Sequence, residues 1–227
     1  MMKCKYCNHP CVKAGVRKKK IQTYRCKHCK KYQQQNYSNQ AYLLSTNKSV
    51  VSLLIEGISI RGIARVSRIS ITTVIKRIKG IAKSISKSYS YVKNGIYEID
   101  ELWTFVGSKS NEVWITYSFD RKRKKVMGFT VGARTKENLQ KVTESVLLNE
   151  PRKVCTDGLN TYKSLIPKQL HRVGLPNTRH IERFNLNLRT HLKRLSRKTI
   201  CFSKSKEMLE ACLKIYFWYD RLSLSRT

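Results

Sequence analysis

The 227-residue sequence predicts a multidomain α/β protein, in which a cysteine-rich ribbon and a short helical module precede a mixed-sheet domain with helices on both faces. Three observations predict it. Two Cys-x-x-Cys pairs open the chain. Several short, well-capped amphipathic helices follow. From Ile96 onward, three β-patterned runs precede alternating helices and strands.

Charge bounds the partners before any motif does. Lys and Arg number 47 against 14 Asp and Glu, a net charge of +33. Such a chain repels itself until a polyanion neutralises it, so nucleic acid is the expected partner. An anionic membrane fits less well, because the basic residues are scattered rather than gathered on one amphipathic helix. The start, "MMKCKYCNHP", has no signal-peptide core, and "VVSLLI" is too short to span a bilayer. An intracellular chain is therefore expected, and there cysteines point to metal before disulfides. Residues 1–95 hold twenty-one basic residues and one acid, Glu56, whereas residues 96–227 hold twenty-six and thirteen. The acids begin abruptly at Glu98, which sets the expected divisions: 1–37, 38–92 and 93–227.

In residues 1–37, Cys4-x-x-Cys7 and Cys26-x-x-Cys29 have the spacing of two knuckles that grip one tetrahedral Zn²⁺. "CVKAGVRKKKIQTYRC" between them reads as strand, basic turn, strand, which is a zinc ribbon. His9, His28 and Cys11 are bystanders in this reading, with Cys11 a possible substitute for a knuckle thiol. Arg17, Lys18, Lys19 and Lys20 at the hairpin tip suit phosphate contact, although such a run also serves as a plain solvated turn.

Residues 38–92 predict a helix-turn-helix and a linker. Asn47 caps a helix through about Glu56, which Gly57 ends. Ser59 caps Ile60 to Val66, and Ser70 caps Ile71 to about Ile81. Ile63, Ile69, Val74 and Ile78 form the small core. Arg68 occupies the turn, where glycine is usual. The third helix presents Thr72, Thr73, Lys76, Arg77 and Lys79, a set suited to the DNA major groove or, more plainly, to a solvated helical hairpin. "SISKSYSYVKNG" reads as a Ser-rich linker.

In residues 93–227, "IYEIDELWTFVG", "NEVWITYSFD" and "KKVMGFTVG" read as an antiparallel meander. "TKENLQKVTESVLL" follows as a helix capped by Thr135, and "KVCT" as a short buried strand ending at Asp157. A brief helix and a weak strand near "LHRVG" come next. A long helix from about Thr178 to Leu195 and a last one from about Ser203 to Leu222 complete the pattern. The order β-β-β-α-β, then helical, is that of the ribonuclease-H-like fold. In that fold the first strand and the end of the fourth lie side by side, so Asp100 and Asp157 are expected to meet. The long helix offers one carboxylate, Glu182, with Asn185 and Arg189 at helical spacing beside the apolar stripe of Ile181, Phe184, Leu188, Leu192 and Leu195. Converging carboxylates form an oxygen site for Mg²⁺ or Mn²⁺, which suits phosphodiester chemistry. This accounts for "EIDE", residues 98–101, three of whose four side chains are acidic. By strand alternation Glu98 shares the face of Asp100 and is its understudy, while Glu101 points the other way. The plainer readings remain open: Asp157-Gly158 as a turn, and Glu182 as a helix-dipole partner.

At "HIERFNLNLRTHLKRLSRKTICFSKS" the chain resembles the insertion-sequence-one family of bacterial transposases. "EIDELWTFVGSKS" and "CTDGLNTY" agree in order and separation, and "TYRCKHCKKY" resembles the family's zinc-ribbon end. The resemblance implies a DDE transposase with the triad Asp100, Asp157 and Glu182 on Mg²⁺ or Mn²⁺, and Arg189 as the accompanying basic residue. It further implies terminal inverted repeats bound by the N-terminal part, a target duplex, and at least a dimer in the synaptic complex. A cytoplasmic, nucleoid-associated protein of a prokaryotic cell is implied as well. Phe184 departs from the pattern, where a histidine is expected. Two other readings are a transcriptional regulator built on the ribbon and helix-turn-helix, and a metal nuclease of the same fold that cuts without joining.

Overall fold

The computed structural model describes residues 2–17, 21–34, 43, 45–86 and 93–219. The chain divides into two compact units, Met1–Thr46 and Asn47–Thr227. Lys18, Lys19 and Lys20, most of the Ser-rich linker, and the end of the expected last helix lie outside the described residues.

The first unit is a three-stranded antiparallel sheet of β1 (Cys11–Arg17), β2 (Ile21–Cys26) and β3 (Tyr32–Gln34). The β1–β2 register slips between Lys13 and Val16, where Gly15 takes φ +96. Little apolar surface is buried here. The interior is Cys4, Cys11 and Cys26, with Met2, Cys7, Tyr24 and Cys29 packed around them. Gln33 ties the first knuckle to β3. Its Oε1 accepts the Lys5 N–H at 2.8 Å, and its Nε2 donates to the Lys3 carbonyl at 2.8 Å.

The second unit opens within α1 (Ser45–Ile55), whose residues from Asn47 on belong to it, and continues with α2 (Ile60–Val66) and α3 (Ile71–Ser84). Ser59 and Ser70 cap as expected, accepting from Gly62 N and Thr73 N. Gly57 ends α1 at φ +78, and a Cβ there would lie 2.4 Å from the His191 carbonyl oxygen, so conformation and space both require glycine. Arg68 holds the turn before α3 at φ +51, a left-handed position where glycine would be unstrained.

Five strands follow: β4 (Ile96–Val106), β5 (Ser108–Asp120), β6 (Lys125–Gly132), β7 (Lys153–Thr156) and β8 (His171–Val173). They form one mixed sheet in the order β6-β5-β4-β7-β8. The β4–β5–β6 meander is antiparallel, and β7 and β8 run parallel to β4. Between β6 and β7 comes α4 (Lys136–Leu147). It buries Leu139, Val142 and Val146 against Tyr97, Ile99 and Val154, with Tyr162 of α5 (Thr161–Leu165) in the same cluster. The second core joins Leu102, Ile115 and Tyr117 to Ile181 and Leu188 of α6 (Arg179–His191) and to Leu209 and Leu213 of α7 (Lys206–Trp218). The long helix expected to reach Leu195 ends at His191, and a single 3-10 turn, Lys193–Leu195, carries Leu195 into the core.

The expected division at 92/93 sets α1–α3 apart from the sheet, whereas the structure joins them through α7. One side of α7 faces the sheet. Its other side places Met208, Ala211, Cys212 and Ile215 in one core with Val50, Leu54, Ile63, Val74 and Ile78. A helix this apolar around its circumference has to be covered on both sides.

Candidate active site

The β4–β7 register sets Glu98 opposite Cys155, so two residues further along each chain Asp100 and Asp157 are neighbours. Carboxylate oxygens of Asp100, Glu101 and Asp157 lie within 4.8 Å of one another. The structure thus brings together two of the three expected acids. Glu182 is outside the cluster. It is exposed on the first turn of α6, where its carboxylate accepts the Thr178 hydroxyl at 3.0 Å.

The α6 residue that reaches Asp100 is Asn185. Its Nδ2 donates to Asp100 Oδ2 at 2.7 Å, and Glu101 N–H donates to Asp100 Oδ1 at 2.8 Å. Tyr117 is the cross-strand partner of Asp100 on β5, and its buried hydroxyl donates to Asn185 Oδ1 at 2.7 Å. That bond fixes the amide with its N–H₂ toward the carboxylate. Burial pushes the Asp100 carboxyl up to about 6, and the charges of Glu101 and Asp157 add to the rise.

Glu101 corrects the alternation argument in part. Its partners do lie on the α4–α5 side: it accepts the Tyr162 hydroxyl and, at 2.8 Å, Arg134 Nη2. Yet its carboxylate closes back on Asp100 and Asp157. Alternation fixes the side from which a Cβ leaves the strand, not where a glutamate arm ends. Arg134 also stands 3.7 Å from Asp157 Oδ2, with its guanidinium over the Trp114 ring. Each Glu101 oxygen is taken by a strong side-chain donor, whereas Asp100 accepts one neutral N–H on each oxygen and the half-exposed Asp157 accepts the Leu159 N–H on Oδ1, so these two keep lone pairs for a cation. That all-oxygen donor set suits a hard divalent cation.

Glu98 is no understudy for metal. It is fully buried and clamps the start of α6: Oε2 accepts Ile181 N–H at 2.7 Å, while Oε1 meets Arg121 Nε at 2.8 Å and His180 Nδ1 at 2.7 Å. Arg189 donates to the Leu195 carbonyl at 2.6 Å and the Trp103 carbonyl at 3.3 Å, so it pins the end of α6 to β4. Phe184, at the position where the resemblance leads to an expected histidine, packs its ring on Phe119 at 4.9 Å.

The cysteines form a second centre. Cys4, Cys7, Cys26 and Cys29 offer sulfurs all within 4.8 Å of one another, with Cys4–Cys29 and Cys7–Cys26 at 3.5 Å. Four thiolates around one ion at the usual 2.3 Å bond length stand about 3.8 Å apart, so the set fits a tetrahedral metal. Burial pushes the Cys26 thiol up, but the Cys29 backbone N–H and the Cys7 thiol outweigh it and hold it down to about 6. Cys11 is buried outside the set, with Gln33 Nε2 at 3.5 Å from its sulfur. His9 and His28 stack on each other at 4.1 Å.

On α3, Thr72 and Lys76 are exposed. Thr73 bonds Ser70, Arg77 donates to Asn47 on α1 at 3.2 Å, and Lys79 pairs with Glu207 on α7. These last three therefore brace the helix as well as charge it. Arg17 ends β1. Sequence reasoning assigned no role to Arg134 or Tyr117. Tyr162 stands in the quoted "CTDGLNTY", and Asn185 was set beside the apolar stripe by its spacing; neither signal named a partner.

Residues 95–221 match the family model described as IS1 transposase. The chain is 41% identical over 115 residues to the insertion element iso-IS1n protein InsB of Shigella dysenteriae, covering 51% of this chain and 88% of that protein. It is 40% identical over 119 residues to the IS1 protein InsB of Shigella flexneri, covering 52% and 91%. A chain of a simian T-cell lymphotropic virus intasome, solved with PP2A regulatory subunit B56 gamma, aligns over 80% of this chain and 74% of its own. That likeness, at 14% identity and TM-score 0.40, is too slight to carry weight. Among the described residues no helix is long and apolar enough to cross a membrane.

Proposed function

The chain belongs to the IS1 transposase family, and from that premise we propose that Asp100, Asp157 and Glu182 are its catalytic carboxylates, on a ribonuclease-H-like domain. The observation that supports this best is the meeting of Asp100, within β4, and Asp157, at the end of the adjacent parallel strand β7. With Mg²⁺ or Mn²⁺ bound, such a site supplies charge for activating an oxygen nucleophile and stabilising a leaving oxygen. The chain's own groups do the positioning. Asn185 and Tyr117 hold Asp100, and Arg134 holds Asp157 through its charge. Glu182, on α6 one turn before Asn185, would be the third residue to hold the cation. Arg189 fixes the helix that carries Glu182.

In the same reading the four-cysteine cluster holds structural Zn²⁺ as a zinc ribbon, and α1–α3 are a helix-turn-helix whose Thr72 and Lys76 address DNA. Together these modules bind the terminal inverted repeats. The synaptic complex is at least a dimer, and the protein works in the cytoplasm beside the nucleoid.

The experiment is a strand-transfer assay on DNA carrying the element's ends, with Asp100→Asn, Asp157→Asn and Glu182→Gln. All three are expected to lose cleavage and joining while retaining DNA binding. Full activity in Glu182→Gln would remove that residue from the triad, and cleavage without joining would make the protein a nuclease.

A further inference from the structure

A cleft walled by α3, α4, β6 and α7 gathers five lysines: Lys79 and Lys83 from α3, Lys141 from α4, and Lys206 and Lys214 from α7. Two glutamates, Glu207 and Glu210, oppose them. Glu207 is taken up by Lys79, and Glu210 stands 3.8 Å from Lys206. Lys83, Lys141 and Lys214 make no ion pair among the described residues. Three helices distant in sequence thus set five ammonium groups against two carboxylates in one concavity, a local excess of three positive charges. That arrangement repels itself unless an anion occupies it.

The cleft's borders suggest which anion. On one side it is bounded by α3, the helix whose Thr72 and Lys76 are open. On the other, β6 contributes Thr130 and Val131, and three residues later Arg134 pairs with Asp157 and Glu101. The lining of the cleft therefore reaches from the C-terminal half of α3 to Val131 near the end of β6, three residues before Arg134. Its polar groups suit phosphates rather than bases. Lysine ammoniums are flexible point charges. The one side-chain amide, Asn138, spends an N–H on the Ala133 carbonyl, which ties it to the chain beside it.

We propose that this cleft is a binding site for the sugar–phosphate backbone of duplex DNA, and that it carries the duplex from α3 toward the acid cluster. The proposal rests on the transposase reading. It assigns Lys83, Lys141 and Lys214 a sequence-independent role in affinity, separate from recognition by α3 and from chemistry at Asp100 and Asp157.

The test is a salt titration of the full-length chain on a mixed-sequence duplex of about 30 base pairs, followed by fluorescence anisotropy. The variant carries Lys83→Ala, Lys141→Ala and Lys214→Ala, and its melting temperature is checked first. Each lost phosphate contact lowers the slope of log affinity against log salt by about 0.9, so the expected decrease is roughly 2–3. Arginine at the same three positions is expected to restore the slope. A control with Lys109→Ala, Lys122→Ala and Lys168→Ala, all exposed elsewhere, is expected to leave it unchanged. Should the alanine variant fold poorly, the corresponding glutamine variant carries the same expectation. An unchanged slope in the cleft variant, or an equal loss in the control, overturns the proposal. Strand transfer distinguishes the two readings: a cleft failure leaves it active in the unsubstituted chain, whereas a protein that loses slope as expected but never joins DNA keeps the cleft and loses the transposase mechanism. A chain with no DNA affinity overturns both.

Discussion

Asp100 concentrates the electrostatic tension of the site, and the sign of its pH dependence follows directly. Its carboxyl is raised to about 6 from an ordinary 3.8, mainly by burial. The unfolded chain therefore releases this proton first. The stability the group contributes is fully present below about pH 4 and is lost as pH rises through about 6. Asp100→Asn removes that loss. In chelator, urea melts are expected to show the variant more stable at pH 8 by roughly 1–3 kcal/mol, with no gain at pH 4. The same variant is expected to lose at least about a hundredfold in DNA cleavage. Equal stability at both pH values would mean that Asp100 is better solvated than its surroundings indicate. Glu101 behaves differently, because its charge is matched by Arg134. Glu101→Gln is expected to destabilise by about 2–4 kcal/mol and to slow cleavage by freeing Arg134 from its place beside Asp157. An active, fully stable Glu101→Gln protein would return this residue to the bystander role that strand alternation gives it. Asp100 and Asp157 were legible in the sequence because each lies at a strand position that the β-β-β-α-β order places. Arg134 and Tyr117 were not, since their roles depend on which side chains meet across elements, and no local pattern encodes that.

The fit of α6 onto β4 explains why "EIDE" carries so many acids. Glu98 and Asp100 are two residues apart on a strand, about 6.6 Å. Their partners on α6, the Ile181 N–H and the Asn185 amide, are four residues apart on a helix, about 6 Å. Strand and helix therefore meet in register at two points, one at the buried Glu98 and one at Asp100 beside Glu101 and Asp157. Periodicity revealed the helix and its apolar stripe, but not that a carboxylate beneath it would bond its backbone. A buried glutamate looks the same in sequence whether it binds metal or caps a helix. Glu98→Ala leaves Arg121 and His180 without their anion and Ile181 N–H without its acceptor. A loss of about 3–5 kcal/mol is expected in chemical denaturation, together with lost activity. Glu98→Gln keeps an acceptor for Ile181 and is expected to recover part of that stability. If Glu98→Gln were as stable as the unsubstituted chain but inactive, Glu98 would belong among the metal ligands after all.

At the scale of the whole molecule, the sequence divides the chain at 37/38 and 92/93 by composition and charge, while burial joins α1–α3 to the sheet through α7. The meeting of the four cysteines was legible, since Cys-x-x-Cys spacing is a local constraint, while the third strand, Tyr32–Gln34, carried no signal of its own. The partnership of α1–α3 with α7 was not legible, since it links segments more than a hundred residues apart. The consequence is a prediction about cooperativity. Among its described residues Met1–Thr46 buries little besides cysteine sulfur, a core too small to hold a fold unaided, so its order is expected to depend on zinc. Asn47–Thr227 has α1–α3 and the sheet sharing α7, so these are expected to melt together. Calorimetry of the full chain should then show two transitions, and strong chelation should abolish one while leaving the other unmoved. Ile78→Ala, deep between α3 and α7, should lower the chelation-resistant transition by about 2–5 kcal/mol and move helix and sheet signals together. A fragment of residues 1–92 would expose Val50, Ile63, Val74 and Ile78 where Met208, Cys212 and Ile215 belong, and its helices should melt well below those of the full chain. If α1–α3 in that fragment were as stable as in the intact protein, α7 would be a neighbour rather than a shared core, and the helical module would stand as a domain of its own.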